Sequence, residues 1–250
     1  MGVPVALKAY TFPLTPGLRR DFNSLRIETP CMDAVRYHEH GGVEVLQVDD
    51  VDRPEAGDTE VLIDVEAAGV NPVDTYFREG SYSPATMPMI PGSDVAGTVA
   101  DVGSDVTEFE PGDRVFGTGL GRDHPGTYAE FVSAPAAYLA TLPDGISFEE
   151  GAALALVGVT AWQALIHHAD LEPGETCLIH GGSGGVGHVA VQLADATGAT
   201  VLTTARPEYA DRLERMGATE VFDYQTDDLA EQLEAAGDPA AILDPRLDEY

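Results

Sequence analysis

The sequence has almost no lysine. Lys8 is the single lysine among 250 residues, and 13 basic residues stand against 43 acidic ones, which gives a formal net charge of −30. A surface of this sign repels nucleic acids and anionic membranes, so we expect neither as a partner. Because the acidic residues are spread among apolar segments, they predict a folded, halophilic protein in which salt screening over about 3 Å suppresses self-repulsion.

Cysteines and long apolar runs are also scarce. Cys31 and Cys177 are too few for a disulfide framework, and Cys177 stands in an apolar run, so we expect a reducing, cytoplasmic location. No run of about 18 apolar residues predicts a membrane span. The hydrophobic content of 44% is ordinary for a globular chain, and 250 residues suffice for one large domain or two modest ones.

The first 31 residues differ from the rest in charge. They hold four basic and two acidic residues, whereas 32–250 hold 9 basic and 41 acidic ones. They lack a continuous apolar core followed by a small-residue cleavage site, so we do not expect a signal peptide. We interpret 1–31 as an unstructured extension, or as sequence upstream of a start at Met32.

Short β-type runs separated by turn residues occupy the chain from Met32 to about Leu142. Strands at this spacing predict a small barrel or sandwich, and Asn71-Pro72 predicts a turn. The expected strands are Asp33–Tyr37, Val61–Val65, Val95–Val102, Arg114–Phe116 and Tyr128–Val132.

Strand and helix alternate from Glu175 onward, which predicts a parallel βαβ sheet. The run before it, from Ser147 to His168, is apolar on nearly every side and is typical of a buried helix. The expected strands are Thr176–Ile179, Val201–Thr204, Val221–Tyr224 and Ala241–Asp244, and the expected helices are Gly185–Ala196, Tyr209–Met216 and Asp227–Ala236. Since the chain ends after the fourth strand, we expect a longer polypeptide to be the working form.

A glycine cluster follows the first strand of this sheet. Gly182, Gly184 and Gly187 fit G-x-G-x-x-G between a strand and an amphipathic helix, the context of the dinucleotide fingerprint, although a flexible glycine loop is the simpler alternative. Glycines let the backbone approach a pyrophosphate, and the N–H groups at the helix start bind its charge. The predicted cofactor contacts are Gly182, Ser183, Gly184, Gly185, Val186 and Gly187.

The second strand of the sheet bears on the choice of nicotinamide cofactor. An NAD site needs an acidic side chain about 20 residues beyond the fingerprint to hold the ribose 2′-OH. Here the chain reads Thr203-Thr204-Ala205-Arg206, with no carboxylate until Glu208. The threonines and the forked guanidinium of Arg206 predict contacts to a 2′-phosphate and therefore NADPH, with a solvated arginine as the alternative.

Several runs together resemble one enzyme family. Residues 32–250 resemble the zinc-independent quinone oxidoreductase (zeta-crystallin-like) branch of the medium-chain dehydrogenase/reductase superfamily. The resemblance implies an α/β protein with a GroES-like β domain over 32–150 and a C-terminally incomplete Rossmann domain, a doubly wound parallel sheet that binds NADP, over 151–250. The matching runs are the glycine loop and 69–76 (GVNPVDTY), 91–97 (PGSDVAG), 112–116 (GDRVF), 151–153 (GAA) and 164–167 (ALIH).

The resemblance also implies a reaction and its residues. It implies hydride transfer from NADPH to a quinone, with Tyr76 and Tyr82 near the nicotinamide, Asn71 close by, and Tyr224 at the adenosine half. Tyr76 is a candidate hydrogen-bond donor to the quinol oxygen, and aromatic packing is the alternative for both tyrosines. Zinc-dependent relatives carry a cysteine and a Gly-His-Glu motif where this chain has Asn71 and Ser93-Asp94, so no metal site is expected.

Other functions stay open at this point. An enone reductase or another carbonyl-acting dehydrogenase has the same signature, and so has a nucleotide-binding protein that is truncated or has little turnover. The sequence leaves open whether the protein forms a homodimer. His38-x-His40 and His167-His168 are interpreted as turn and helix-end residues rather than metal ligands.

Overall fold

The computed structural model describes residues 30–84 and 86–245, and the chain divides into two units, 1–156 and 157–250. Of the predicted extension only Pro30 and Cys31 are described, and Cys31 already belongs to the first strand. Among the described residues, no helix is long and apolar enough to cross a membrane.

The first unit is built on an antiparallel sheet. Its five strands run in the order β6-β3-β4-β5-β7, and β1 and β2 form a separate antiparallel pair. Alternate residues of the central strands, such as Val61 and Ile63, point into one apolar core, as a period of two requires. The bounds are β1 Cys31–Arg36, β2 Gln47–Asp52, β3 Glu60–Ala68, β4 Val95–Val102, β5 Arg114–Gly117, β6 Phe131–Pro135 and β7 Leu139–Thr141.

Two predictions for the first unit are corrected by the structure. The strand predicted over Tyr128–Val132 begins only at Phe131, because Tyr128 lies in a loop whose backbone bonds to Pro91 and Val35. The turn predicted at Asn71-Pro72 is the start of a helix, α1 (Pro72–Glu79). Strands β2 and β7 were not predicted, since β2 (QVDDVD) is largely exposed and β7 has three residues.

Helix α1 has capping residues at both ends, although the sequence Asn71-Pro72 is also typical of a turn. Asn71 is the N-cap, proline occupies the first helical position, and the Asp74 carboxylate accepts the Asn71 N–H at 2.8 Å. Gly80 ends the helix in the left-handed region at φ 88°, where a residue without Cβ is favoured. His40 Nδ1 lies 3.1 Å from the Phe77 carbonyl in the last turn.

The second unit confirms the predicted parallel sheet. Its four strands run in the order β10-β9-β8-β11, all parallel. The bounds of β8 are those predicted, and the ends of the other three strands lie within one residue of the prediction. The strands are β8 Thr176–Ile179, β9 Thr200–Ala205, β10 Glu220–Asp223 and β11 Ala241–Leu243, and the helices are α3 Gly185–Thr197, α4 Ala210–Arg215 and α5 Leu229–Ala236.

Side chains from the two faces of this sheet enter different clusters. Cys177, Ile179 and Val201 pack with residues of α3 and α4 in the larger core. Leu178, Leu202 and Phe222 form a smaller cluster on which Leu229 and Leu233 of α5 pack. Because helices cover both faces, the strands are apolar almost throughout rather than alternating.

The helix expected from Ser147 to His168 is present in two parts. Ser147 Oγ accepts the Glu150 N–H at 3.2 Å and Glu150 accepts the Ser147 N–H at 2.9 Å, the predicted capping arrangement. Helix α2 (Phe148–Trp162) continues as a π-helical segment over Gln163–His168. The helix is less buried than predicted, because Leu154, Val159 and Trp162 are 43%, 43% and 55% exposed.

Candidate functional site

The glycine loop between β8 and α3 turns sharply at the carboxyl end of the sheet. Gly181 adopts φ 68°, and its carbonyl accepts the Gly184 N–H at 2.9 Å. The Gly182 N–H donates to the Thr204 carbonyl at 2.9 Å, which ties the loop to the end of β9. The predicted strand, loop and helix are therefore all present in the order that the dinucleotide fingerprint requires.

Two glycines, Gly182 and Gly187, lie so close to neighbouring protein atoms that a side chain would not fit at either position. A Cβ on Gly187 would stand less than 3.0 Å from three backbone atoms of Gly181 and Gly182, and a Cβ on Gly182 would strike the Thr203 hydroxyl. Gly185 has ordinary space, with Val157 at 3.4 Å. The start of α3 can lie this close to the loop, and the loop this close to β9, only because these positions lack side chains.

The start of α3 bears no side chain that caps it. Gly184 is the N-cap, and no side-chain hydrogen bond caps the helix among the residues that the structure describes. Ser183, Gly184 and Gly185 are exposed, whereas Val186 packs against the larger core. The first-turn N–H groups thus point out of the helix without carbonyl partners within it, which is the arrangement that binds an anion.

Thr203 and Thr204 are buried at the end of β9. The Thr203 hydroxyl donates to the Ile179 carbonyl at 2.7 Å. The Thr204 hydroxyl accepts the Gly181 N–H at 3.0 Å. Both hydroxyls bond to the segment that leads from β8 into the glycine loop, and Thr204 stays a predicted cofactor contact.

Arg206 lies just beyond β9 and is exposed. One guanidinium nitrogen is 3.2 Å from a carboxylate oxygen of Glu208, and another donates to the Tyr209 hydroxyl at 3.2 Å. The guanidinium carbon is 5.2 Å from the centre of the Tyr209 ring. Glu208, the first carboxylate after β9 in the sequence, therefore pairs with Arg206. Tyr224, 47% exposed, follows β10 directly.

In the first unit, Asn71 opens a buried polar cluster. Its side-chain Nδ2 donates to Asp94 at 2.8 Å. Asp74 accepts hydrogen bonds from the Asn71 backbone at 2.8 Å, the Ser93 hydroxyl at 3.0 Å and the Tyr128 hydroxyl at 3.2 Å. We name these five residues, Asn71, Asp74, Ser93, Asp94 and Tyr128, the carboxylate cluster. The sequence analysis did not identify Asp74 or Tyr128, and only the Asn71–Asp74 spacing is a sequence signal.

The two carboxyl groups of the carboxylate cluster are perturbed. Burial raises the pKa of Asp94 to about 6, opposed by hydrogen bonding to Thr118 and Asn71, and Asp74 adds a smaller increase. Burial also raises the pKa of Asp74, against the lowering effect of its three donors. Burial and then Asp74 raise the pKa of the Tyr128 hydroxyl. Groups shifted in this way are frequent at functional sites.

The two candidate tyrosines lie together in the first unit. The rings of Tyr76 and Tyr82 meet edge to face with centroids 5.9 Å apart, and Phe77 packs against Tyr82 at 5.8 Å. The Tyr82 N–H donates to the Tyr76 carbonyl at 3.2 Å. Tyr82 is 51% exposed and Tyr76 is half-buried. Both rings therefore pack against each other and still have surface that a ligand could contact.

The histidines form contacts within the protein. His38 Nε2 lies 2.8 Å from Asp49, and His167 and His168 have ring centroids 4.9 Å apart in the last turn of the π-helical segment. Within residues 30–84 and 86–245, no three histidine, cysteine, aspartate or glutamate side chains converge as a metal site would require.

Two family models match separate parts of the chain. Residues 57–144 match the alcohol dehydrogenase GroES-like domain, and residues 185–244 match the zinc-binding dehydrogenase family. Together with the parallel sheet of the second unit, these matches confirm the predicted fold class.

Individual relatives extend the match over most of the chain. Human quinone oxidoreductase is 44% identical over 197 residues, 78% of this chain and 59% of its own length. The structure of the quinone oxidoreductase from Coxiella burnetii has a TM-score of 0.77 and 36% identity, covering 86% of this chain and 68% of that one. A mycobacterial protein complexed with NADPH has a TM-score of 0.73 and 37% identity, covering 84% and 65%. The chain therefore spans about three fifths of the length of the human relative.

Proposed function

We propose that the protein catalyses the transfer of a hydride from NADPH to a quinone without zinc. The chain belongs to the quinone oxidoreductase family of the medium-chain dehydrogenase/reductase superfamily. The observation that carries the proposal is the glycine loop, whose close backbone contacts and uncapped helix start fit a dinucleotide pyrophosphate. The names of the relatives support the acceptor class.

The residues of the second unit would bind the cofactor. Bound NADPH would supply the hydride that, together with a proton, reduces a quinone to a hydroquinone. Gly182 and Gly187 allow the loop to lie close to the sheet, Thr204 holds Gly181, and the N–H groups of the first turn of α3 bind the pyrophosphate. Arg206 would contact the 2′-phosphate, and Tyr224 the adenosine half.

The residues of the first unit would bind the acceptor. A quinone needs little polarisation of its carbonyl, so the protein mainly has to orient it and to exclude water. In this proposal the Asn71 amide N–H that is not bonded to Asp94 and the Tyr76 hydroxyl orient the quinone oxygens by hydrogen bonds, and the Tyr82 ring packs against the acceptor. Tyr76 is held in place by its contact with Tyr82.

The general test is a cofactor titration followed by an acceptor assay. Protein fluorescence is followed as NADPH is added, and NADPH oxidation is then measured with 1,2-naphthoquinone and, separately, with a conjugated enone. Turnover with the quinone supports the proposal. Turnover with the enone alone indicates an enone reductase, and binding without turnover indicates a nucleotide-binding protein, so either result contradicts the proposal.

We expect NADPH to bind at least about tenfold more tightly than NADH, a difference of about 1.4 kcal/mol. Arg206→Asp should remove or reverse this preference, because it replaces the only proposed cation at the 2′-phosphate by an anion. Glu208→Gln should strengthen NADPH binding about twofold to threefold, because it removes a competing carboxylate 3.2 Å from the guanidinium while that pair itself is exposed and weak.

The control is Arg122→Asp, which makes the same charge change at an exposed arginine of the first unit. It should alter NADPH and NADH binding equally. Equal affinities for the two cofactors in the parent protein, or an equal loss of preference in Arg122→Asp, would show that Arg206 does not select the cofactor.

We also expect no stoichiometric zinc and no loss of activity with a chelator. At the positions where zinc-dependent relatives have ligands, the Asn71 amide and the Ser93 hydroxyl are engaged with Asp94 and Asp74, and neither is a typical zinc donor. The match to the zinc-binding dehydrogenase family covers 185–244 and not these residues. Elemental analysis of dialysed protein tests the prediction, and one zinc per chain would contradict it.

A further inference from the structure

The two buried carboxylates at the start of α1 are unequally satisfied. Asp74 accepts three hydrogen bonds, with the backbone of Asn71, Ser93 and Tyr128 as donors. Asp94, only 1% exposed, accepts the Asn71 amide, while its Oδ1 has no hydrogen-bond partner of full geometry among the described residues. A carboxylate buried this deeply is costly to keep ionised, so its charge depends on the few donors that face it, which are Asn71, Thr118 and the Leu156 backbone.

We propose that Asp94 is a positioning residue that selects the orientation of the Asn71 side-chain amide when ionised and releases it when protonated. The inference rests on the proposed function in so far as it assigns Asn71 to the acceptor. It concerns a contact within the first unit, the 2.8 Å hydrogen bond from Asn71 Nδ2 to Asp94 Oδ2.

The selection follows from hydrogen-bond chemistry. A side-chain amide can turn by 180°, which exchanges its NH₂ donor for its carbonyl acceptor. An ionised carboxylate only accepts, so it holds the NH₂ end by a charge-assisted bond and repels the carbonyl end. A protonated carboxyl has both a donor and an acceptor and can hold either end. The proton on Asp94 therefore decides whether Asn71 offers one arrangement or two.

The surroundings make Asp94 the carboxyl group that takes up a proton first. The groups that face it are Asp74 on α1, Asn71 at the helix start, Thr118 after β5 and the Leu156 backbone on α2, and the charges around Tyr128 include Arg78. Two like charges in one cluster favour protonation of one member, and Asp74 has more donors. Burial, the main cause, raises the pKa of Asp94 to about 6, so the release falls just below neutral pH.

The composition permits a direct measurement, because the chain has two asparagines, Asn23 and Asn71. Selective ¹⁵N-asparagine labelling of the full chain therefore yields two side-chain amide signals by NMR, and Asn23→Ser assigns them. We expect the Asn71 amide to shift between pH 5 and pH 7.5 with a midpoint near the Asp94 pKa of about 6, while the Asn23 amide serves as the internal reference. Absence of a transition at Asn71 would overturn the proposal.

The variants separate Asp94 from its neighbours. Asp94→Asn keeps the size and an acceptor but cannot ionise, so the Asn71 transition should vanish. The third labelled amide that this variant adds is recognised by its absence from the wild-type spectrum. Asp101→Asn makes the same change at an exposed position of β4, the strand that follows Asp94, and should leave the transition in place. A transition that persists in Asp94→Asn would belong to Asp74 and would contradict the proposal. If Asp94→Asn does not fold, Asp94→Glu is measured instead. The Asn71 amide should then keep its transition with a displaced midpoint pH, and an unchanged midpoint would contradict the proposal.

Turnover provides a second readout. The wild-type kcat/KM with 1,2-naphthoquinone should be about twofold lower at pH 5 than at pH 7, because protonated Asp94 lets Asn71 adopt a second, unproductive arrangement in about half the molecules, and the Asp94→Asn profile should be flat over this range. A wild-type profile without this fall would overturn the positioning role. If no quinone is reduced at all, the proposed function fails while the NMR transition still decides the Asp94–Asn71 contact, so the two failures are distinguishable.

Discussion

Gly187→Ala is expected to lower NADPH affinity about 100-fold, or about 2.7 kcal/mol, and to destabilise the second unit by about 1–3 kcal/mol. A methyl group at this position would meet backbone atoms of Gly181 and Gly182 at less than 3.0 Å, and backbone cannot rotate away as a flexible side chain can. The loop or the helix must therefore shift, and the N–H groups proposed to bind the pyrophosphate shift with it.

The comparison variant is Gly185→Ala in the same loop. Its nearest contact is a methyl group of Val157 at 3.4 Å, and alanine at a helical position is favoured over glycine. Its free energy of unfolding, measured by urea denaturation, should equal or slightly exceed that of the parent protein. NADPH affinity is measured for both variants by titration. Equal stability and affinity for Gly187→Ala and Gly185→Ala would show that the close approach at Gly187 is not required.

A rise of the melting temperature on the order of 10 °C is expected between roughly 0.1 M and 2 M KCl. The net charge of −30 makes the compact state repel itself, and screening shortens from about 10 Å to below 3 Å over this range. Salts that are excluded from protein surfaces stabilise neutral proteins by less. A melting temperature that does not change with KCl would contradict adaptation to high salt.

The structure supplies local variants for this test. Asp33 on β1 is directly opposite Asp50 on β2, and both are exposed, so their charges repel across the strand pair. Asp50→Asn should raise the melting temperature at low salt by about 1–3 °C and reduce the gain from KCl. Asp49→Asn, on the same strand, removes a carboxylate 3.4 Å from Arg36 and should have the opposite sign at low salt. The same sign in both variants would contradict a local electrostatic cause.

Local signals were sufficient for much of the fold. Strands β4 (Val95–Val102) and β8 (Thr176–Ile179) have the predicted bounds, since continuous apolar runs between turn residues are unambiguous over four to eight residues. The glycine loop and α3 were likewise predicted, because a strand, a glycine turn and an amphipathic helix follow each other directly in the chain. The individual site residues remain predictions.

Helix α1 shows where local reading failed although a local signal existed. Asn71-Pro72 is compatible with both a turn and a helix start, and Asp74 three residues beyond Asn71 decides for the helix by accepting the Asn71 N–H. The segment has too few apolar residues for their spacing to distinguish a turn from a helix. The predicted burial of α2 is only partly met for a different reason, because apolar residues on nearly all sides of a helix do not specify what covers each side.

The amino-acid sequence by itself determined the family, the order of strands and helices in the second unit and the glycine loop, because these depend on residues that are neighbours along the chain. The tertiary structure alone decided the pairing of Asp94 with Asn71, 23 residues apart, and that of Tyr128 with Asp74, 54 residues apart. It also decided the raised pKa of Asp94, because desolvation depends on which atoms surround a carboxyl group. No spacing along the chain encodes that surrounding, since it forms only when β4, α1 and the loop before β6 pack together.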